Sequence, residues 1–255
     1  MLLRRAEPVL AARAVSCRFG ALVAVSEVSL DLFPGECHAV IGPNGAGKST
    51  LLGILAGELA PDGGTVLLGG EDVSRLGPAA RARRGLARTF QIAELCPEFS
   101  ARRNVLLAVQ ARFDVPFHFL RRADRLGSLV AHADAALVAA GLMDRADVPA
   151  AMLSHGERRQ LELAVALASR PRVLLLDEPA AGLGPSETEA LANRLAALKG
   201  RIAMLLVEHD MDTVFRLADR ISVLAEGRVI ASGPPEAIRA DRAVREAYLG
   251  EMVDA

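Results

Sequence analysis

Cys37-His38-Ala39-Val40-Ile41-Gly42-Pro43-Asn44-Gly45-Ala46-Gly47-Lys48-Ser49-Thr50 is the stretch that decides the fold. Its first five residues have the length of a buried strand and are too few for a helix. The next eight satisfy G-x-x-x-x-G-K-[ST], and a helical pattern runs on to about Leu59. Glycines 42, 45 and 47 let the backbone bend so that successive N–H groups point inward at an anion. The helix start adds favourable potential for that anion. Lys48 would reach the β and γ phosphates of a nucleotide, and the Ser49 hydroxyl would ligate Mg²⁺. A glycine-rich turn that binds nothing is the bland alternative, but the strand before and the helix after argue against it. Gly42, Pro43, Asn44, Gly45, Ala46, Gly47, Lys48, Ser49 and Thr50 are therefore the candidate phosphate cradle.

The rest of the composition limits what such a cradle can belong to. With 255 residues, the chain fits one large domain with a sizeable core. Hydrophobic residues make up 51%, yet no stretch reaches the roughly 18 apolar residues of a spanning helix. The apolar runs at 173–176 and 202–207 are short, end in charge and read as buried strands. Arg4 and Arg5 are not followed by an apolar stretch with a cleavage site, so no secretory signal is expected. Cys17, Cys37 and Cys96 form no Cys-x-x-Cys pair, which points away from disulfides and zinc and suits a reducing cytoplasm. A net charge of −1 does not fit a polyanion binder, and no nucleic-acid partner is expected. Among thirty Lys and Arg residues only Lys48 and Lys199 are lysines. A lysine in an arginine-rich chain marks a place for a compact ammonium rather than a planar guanidinium, and Lys48 is the candidate.

Short apolar stretches over residues 9–32 read as antiparallel strands. Pro61-Asp62-Gly63-Gly64 is expected to stop the first helix before a strand at 65–68. From about 102 to 168 the period changes, and helices are expected at 104–111, 123–140 and 155–168. Strand 173–176, helix 186–199 and strand 202–207 restore an α/β alternation. A hairpin broken at Glu226-Gly227 and a helix near 241–249 complete the pattern. No internal repeat is evident.

Leu174-Leu175-Leu176-Asp177-Glu178 places two carboxylates at a strand end, where parallel α/β sheets hold ligands. Asp177 would hold Mg²⁺, and Glu178 would orient or deprotonate an attacking water. Two solvated charges at a strand exit are the alternative, and it weakens beside the phosphate cradle.

Further motifs fall in one order along nearly the whole chain, and with them the sequence resembles ABC ATPases. Arg88-Thr89-Phe90-Gln91 is similar to the segment carrying the family's Q-loop glutamine, which places Gln91 beside the metal or water and the membrane-subunit groove. Leu153-Ser154-His155-Gly156-Glu157 resembles the family signature. His209, in Val207-Glu208-His209-Asp210-Met211, resembles the switch histidine that meets the γ-phosphate. Phe19 stands where the family places an aromatic on adenine. Taken singly, Gln91 and His209 read as surface and Phe19 as core, while Ser154 and Glu157 also make an S-x-x-E capping box. The signature reads Ser-His-Gly-Glu in place of Ser-Gly-Gly-Gln, and Gly184 replaces a common aspartate.

The resemblance implies an α/β fold: a P-loop ABC ATPase with a RecA-like core, an antiparallel β subdomain and a helical subdomain. In that reading 1–255 is a single ABC ATPase domain, with 1–91 and 170–255 as the catalytic core with its β subdomain and 92–169 as the helical part. It implies ATP and Mg²⁺, with Glu178, His209 and Gln91 catalytic and Ser49, Gln91 and Asp177 around the metal. Ser154 and Gly156 would meet the nucleotide held by a second copy, so the site closes only in a dimer. Permease subunits, an external solute-binding protein and a peripheral position on the cytoplasmic side of the plasma membrane follow from the same likeness.

Asp177-Glu178-Pro179-Ala180-Ala181-Gly182-Leu183, Glu208-His209-Asp210-Met211, Glu157-Arg158-Arg159-Gln160-Leu161-Glu162 and Tyr248-Leu249-Gly250 resemble the importers of branched-chain and related amino acids. The stretch around Phe113, Phe117 and Phe119 is similar to an insertion of one such ATPase type; it reads either as core packing or as a dock for the membrane subunit. An ATPase of lipopolysaccharide export is the near rival. A repair or translation ATPase needs a coiled-coil insertion or a second cassette, and a P-loop kinase or GTPase leaves the signature unexplained.

Overall fold

The computed structural model describes residues 7–89, 95–112 and 123–244. Two sheets enclose the helix that follows the phosphate loop. Strands β1 (Leu10–Phe19), β2 (Leu22–Leu32), β4 (Gly63–Leu68) and β5 (Glu71–Asp72) pair antiparallel in the order β2-β1-β4-β5. The second sheet has the order β10-β9-β3-β8-β7-β6, built from β3 (Cys37–Ile41), β6 (Leu86–Arg88), β7 (Val173–Asp177), β8 (Ala203–Val207), β9 (Arg220–Ala225) and β10 (Arg228–Gly233). Its pairs are parallel except β9 with β10. Every residue of β3, β7 and β8 is buried, as expected of parallel strands covered on both faces.

Strand periodicity sorts these side chains between two cores. Leu175, Leu205 and Val207 point one way, toward Leu51, Leu52 and Leu55 of α1 (Lys48–Ala56) and toward Leu10, Leu32 and Val66 of the first sheet. Leu174, Leu176, Met204 and Leu206 point the other way. There they meet α3 (Ala101–Arg112), α4 (Ala123–Ala140), α5 (His155–Ala168) and α6 (Pro185–Leu198). A third cluster joins Ala39, Ile41, Ile221 and Val223 to α7 (Met211–Leu217) and α8 (Pro235–Ala240).

Helices α4 and α5 and the Glu226-Gly227 hairpin stand where the sequence places them, the turn residues at φ 48° and 74°. Helix α1 is shorter than expected. It ends at Ala56, because Gly57 turns left-handed at φ 84° and its N–H bonds back to Ile54 O. Beside that end lies Arg81, in the short α2 (Pro78–Arg83), fully buried and donating to Ile54 O (2.7 Å), Leu55 O (2.8 Å) and Leu76 O (2.9 Å). The guanidinium satisfies the last carbonyls of α1 and complements the negative end of its dipole. Gly63-Gly64, read as a helix stop, instead opens β4. At Gly64 (φ 80°) a Cβ would lie 2.3 Å from Ala14 O, so the backbones of β4 and β1 approach more closely than any side chain allows. Of the helix expected near 241–249, Arg242–Val244 is helical as α9, Asp241 instead caps α8, and residues 245–249 lie outside the described residues.

Candidate functional site

Parallel pairing brings three strand ends to one edge. Val40 of β3 lies level with Val207 of β8, and Val207 level with Asp177 of β7. The phosphate loop, Glu208 and the Asp177-Glu178 pair therefore emerge side by side.

The loop owes its path to two glycines and a brace. A Cβ on Gly42 (φ 152°) would lie 2.0 Å from Leu224 O, and one on Gly47 (φ 99°) 2.2 Å from Ala24 O. Ala46 O accepts from Gly227 N (3.0 Å), and Gly227 O accepts from Ser26 N (2.8 Å), so the β9–β10 turn pins the loop to β2. The first backbone bond of α1 runs from Leu51 N to Gly47 O (2.9 Å), and the N–H groups before it are the ones a helix start leaves for an anion. Lys48 is buried, its Nζ donating to Gly42 O (2.6 Å) and Pro43 O (2.8 Å). Burial lowers its pKa, against the opposing pull of the Glu178 and Asp177 carboxylates. Asn44, Gly45 and Ser49 are exposed around it, and Pro43 and Thr50 are half-buried. Lys199 uses its compact ammonium too, donating to Leu217 O (2.8 Å) at the end of α7 and pairing with Asp219 (2.8 Å).

Asp177 is buried, its Oδ2 paired with Arg88 at 2.8 Å, and Arg88 also pairs with Glu58. Its second oxygen, Oδ1, is buried without a hydrogen-bond partner among the described residues. An orphaned carboxylate oxygen beside a phosphate cradle fits one side of a Mg²⁺ site. Among the described residues no group of three His, Cys, Asp or Glu side chains could hold a metal alone. A metal here would share its ligands with a phosphate.

Glu178 is half-buried and left-handed at φ 45°, a strained conformation for a residue with a side chain. Glu178 N donates to Val207 O (2.8 Å), and Ala181 N to Glu178 O (3.0 Å). His209, on the neighbouring strand exit, is 64% exposed, with Nδ1 3.6 Å from Glu208 Oε2.

Sequence reading passed over Glu208 and Arg88, quoting both only inside motifs. Glu208 is buried, and its carboxylate accepts from Ala180 N (3.0 Å), His209 N (2.9 Å) and Asp210 N (3.4 Å). The signal was present: an acid closing an apolar strand, the same pattern that singled out Asp177.

Ser154 caps α5 as expected. Its Oγ accepts from Glu157 N (3.2 Å), and Glu157 Oε2 accepts from Ser154 N (2.8 Å). A Cβ on Gly156 would lie 2.2 Å from Glu187 Oε1 of α6. Glu187 also accepts from Gly184 N (3.0 Å), so Gly184 serves as the start of α6. His155 Nε2 reaches Ala181 O (3.4 Å), packing the signature against the loop after Glu178. Phe19 ends β1 half-exposed, before a turn at Gly20 (φ 61°). Gln91, the aromatic stretch at 113–119 and Tyr248-Leu249-Gly250 lie outside the described residues.

The ABC transporter family model matches residues 25–181, and a model for the branched-chain amino acid ATP-binding cassette transporter matches residues 228–254. The chain belongs to the ABC transporter family, as an ATP-binding cassette that hydrolyses ATP. It is 39% identical over 254 residues to the high-affinity branched-chain amino acid transport ATP-binding protein LivG of Escherichia coli, covering 96% of this chain and 99% of that protein. It is 38% identical over 253 residues to the corresponding BraF of Pseudomonas aeruginosa, covering 96% and 98%. A nucleotide-free ATP-binding cassette from an ABC transporter superposes with a TM-score of 0.82 at 28% identity, covering 94% of this chain and 98% of the other. An ADP-bound cassette of an ABC transporter gives the same score and identity over 95% and 99%. Among the described residues no helix is long and apolar enough to cross a membrane.

Proposed function

We propose that this chain drives an importer of branched-chain or related amino acids by closing as a dimer on ATP and Mg²⁺. The observation that carries the reading is one sheet edge holding the braced loop around Lys48, the half-free Asp177 and the strained Glu178. The matches to LivG, BraF and the C-terminal importer model over residues 228–254 support the amino-acid branch over lipopolysaccharide export.

In this proposal Phe19 stacks on adenine, and the N–H groups of Gly42 to Thr50 cradle the phosphates. Lys48 leaves the carbonyls of Gly42 and Pro43 for the β and γ phosphates. Ser49, Asp177 and Gln91 hold Mg²⁺, which when bound offsets the phosphate charge. Ser154 and Gly156 of a second copy close over the γ-phosphate at the capped, electropositive start of α5. Glu178 takes a proton from a water whose oxygen attacks the γ-phosphorus; the bond to the β-phosphate oxygen breaks, and ADP and phosphate result. His209 contacts the γ-phosphate, and loss of that phosphate removes the bridge between copies. The regions 1–91 and 170–255 form the catalytic part, with residues 92–169 the helical part beneath the permease. An external binding protein delivers the solute, and the ATPase sits on the cytoplasmic face of the membrane.

The test is Glu178→Gln. The variant should bind ATP, stay trapped as a closed dimer in sedimentation and lose turnover. Turnover at the wild-type rate would reject the assignment of the base. The substrate is tested by co-purifying the permease and the external binding protein and reconstituting leucine-dependent stimulation of ATP hydrolysis in liposomes; absence of stimulation by any branched-chain amino acid with all components present would reject that branch.

A further inference from the structure

We infer that Glu208 is a positioning residue that ties the general base to the switch histidine, so the two loops move as one; this rests on the roles proposed for Glu178 and His209. The carboxylate is buried at the end of β8, between the strands that carry the phosphate loop and the Asp177-Glu178 pair. Its two oxygens are divided between two loops. Oε1 accepts from Ala180 N, two residues after Glu178, at 3.0 Å. Oε2 accepts from His209 N at 2.9 Å and Asp210 N at 3.4 Å. A carboxylate is planar and rigid, so a displacement of either loop reaches the other through one group.

Two further features give this bridge a task. Glu178 sits at φ 45°, which persists only when flanking bonds hold it. Those bonds are Glu178 N to Val207 O on one side and, on the other, Ala181 N to Glu178 O together with Ala180 N to Glu208. His209 has a 64% exposed side chain, and its backbone is fixed here by the Glu208 carboxylate. A phosphate that draws on His209 therefore draws on the support of Glu178. Three N–H donors converging on one buried carboxylate also explain why an acid is needed: an amide nitrogen in place of Oε2 would face donors it cannot accept from.

The experiment is a double-mutant cycle between Glu208→Gln and His209→Ala, read in kcat and in nucleotide affinity. Glu208→Gln should lower kcat at least tenfold while the ATP Kd, measured by fluorescent-nucleotide displacement, changes less than twofold. In the His209→Ala background the same change should lower kcat no more than about twofold. Independent, multiplying losses, or an ATP affinity that falls in step with kcat, would overturn the coupling and leave Glu208 a purely structural acid. Where Glu208→Gln does not fold, Glu208→Asp serves the same cycle. Amide exchange in Glu208→Ala, which removes both acceptor oxygens, then gives the second readout: Ala180 and His209 N–H should both be protected in the wild type and both released in that variant. Release of one without the other contradicts the bridge. Failure of the underlying roles registers separately, as unchanged turnover in Glu178→Gln or in His209→Ala alone.

Discussion

At the scale of single residues, buried charge is the theme. Lys48 spends its ammonium on two loop carbonyls and waits opposite two carboxylates. Replacing it with Ala removes charge-assisted bonds of about 1.5–3 kcal/mol each, so ATP affinity should fall roughly ten- to a hundredfold by isothermal titration, with the fold retained. An affinity within twofold of wild type would place the phosphates elsewhere. Glycine 42 and the lysine were legible in the sequence because their spacing is fixed by phosphate geometry. The partner of Asp177 was not, since Arg88, which it shares with Glu58, is distant along the chain and arrives only through the pairing of β6 with β7.

His38 gives the residue scale a pH dependence. Its Nδ1 donates to Asp31 O (3.0 Å), so Nε2 is the acceptor from Ser222 Oγ (2.8 Å), whose oxygen in turn accepts from Ser232 (2.8 Å). Burial first, and Arg220 second, push the imidazole pKa down to about 4, against the opposing carboxylates of Glu36 and Asp31. The unfolded chain, with an ordinary value of 6.5, binds the proton more readily. Stability is therefore full above 6.5, falls as pH drops toward 4, and has no further contribution from this group below that. The slope is at most about 1.4 kcal/mol per pH unit. Urea midpoints at pH 7 and pH 5 should diverge more in the wild type than in His38→Gln; equal divergence would dismiss His38 as the source.

Among elements, α5 carries the sharpest consequence. Ser154→Ala removes the cap and should cost about 1 kcal/mol, lowering Tm by about 2–4 °C in a thermal melt. Gly156→Ala should displace the Glu187 carboxylate, whose Oε1 would lie 2.2 Å from the added carbon, and so loosen its bond to Gly184 N. If the Gly184 N–H exchanges as slowly in the Gly156 variant as in the wild type, the packing of α5 on α6 is looser than described. The capping box was readable as S-x-x-E, because it is a local arrangement four residues long. The end of α1 was not: Pro61 looked like the stop, but Gly57 and the buried Arg81 end the helix five residues before Asp62 begins to bond β1. Short elements such as β6 and α7 also escaped, since three to seven residues carry too little periodicity to declare themselves.

The molecule as a whole exposes Ser154 and His155, at the capped start of α5, to solvent. That exposure makes sense if a second copy supplies what each loop lacks, so turnover should fall steeply on dilution. The helical region and the strand-end carboxylates were foreseeable from the sequence, whereas the strand order of the two sheets was not, and the bracing of the loop by the β9–β10 turn depends on contacts 181 residues apart along the chain, between Ala46 and Gly227.

Mixing two inactive variants tests the central claim most directly. Lys48→Ala disables the loop, and Ser154→Arg, at an exposed position, disables the signature. In a mixed dimer both defects fall in one site and the other site is intact. The account predicts that ATP hydrolysis, absent from each variant alone, returns on mixing. No recovery at any ratio, with both variants folded and dimerising, would contradict it.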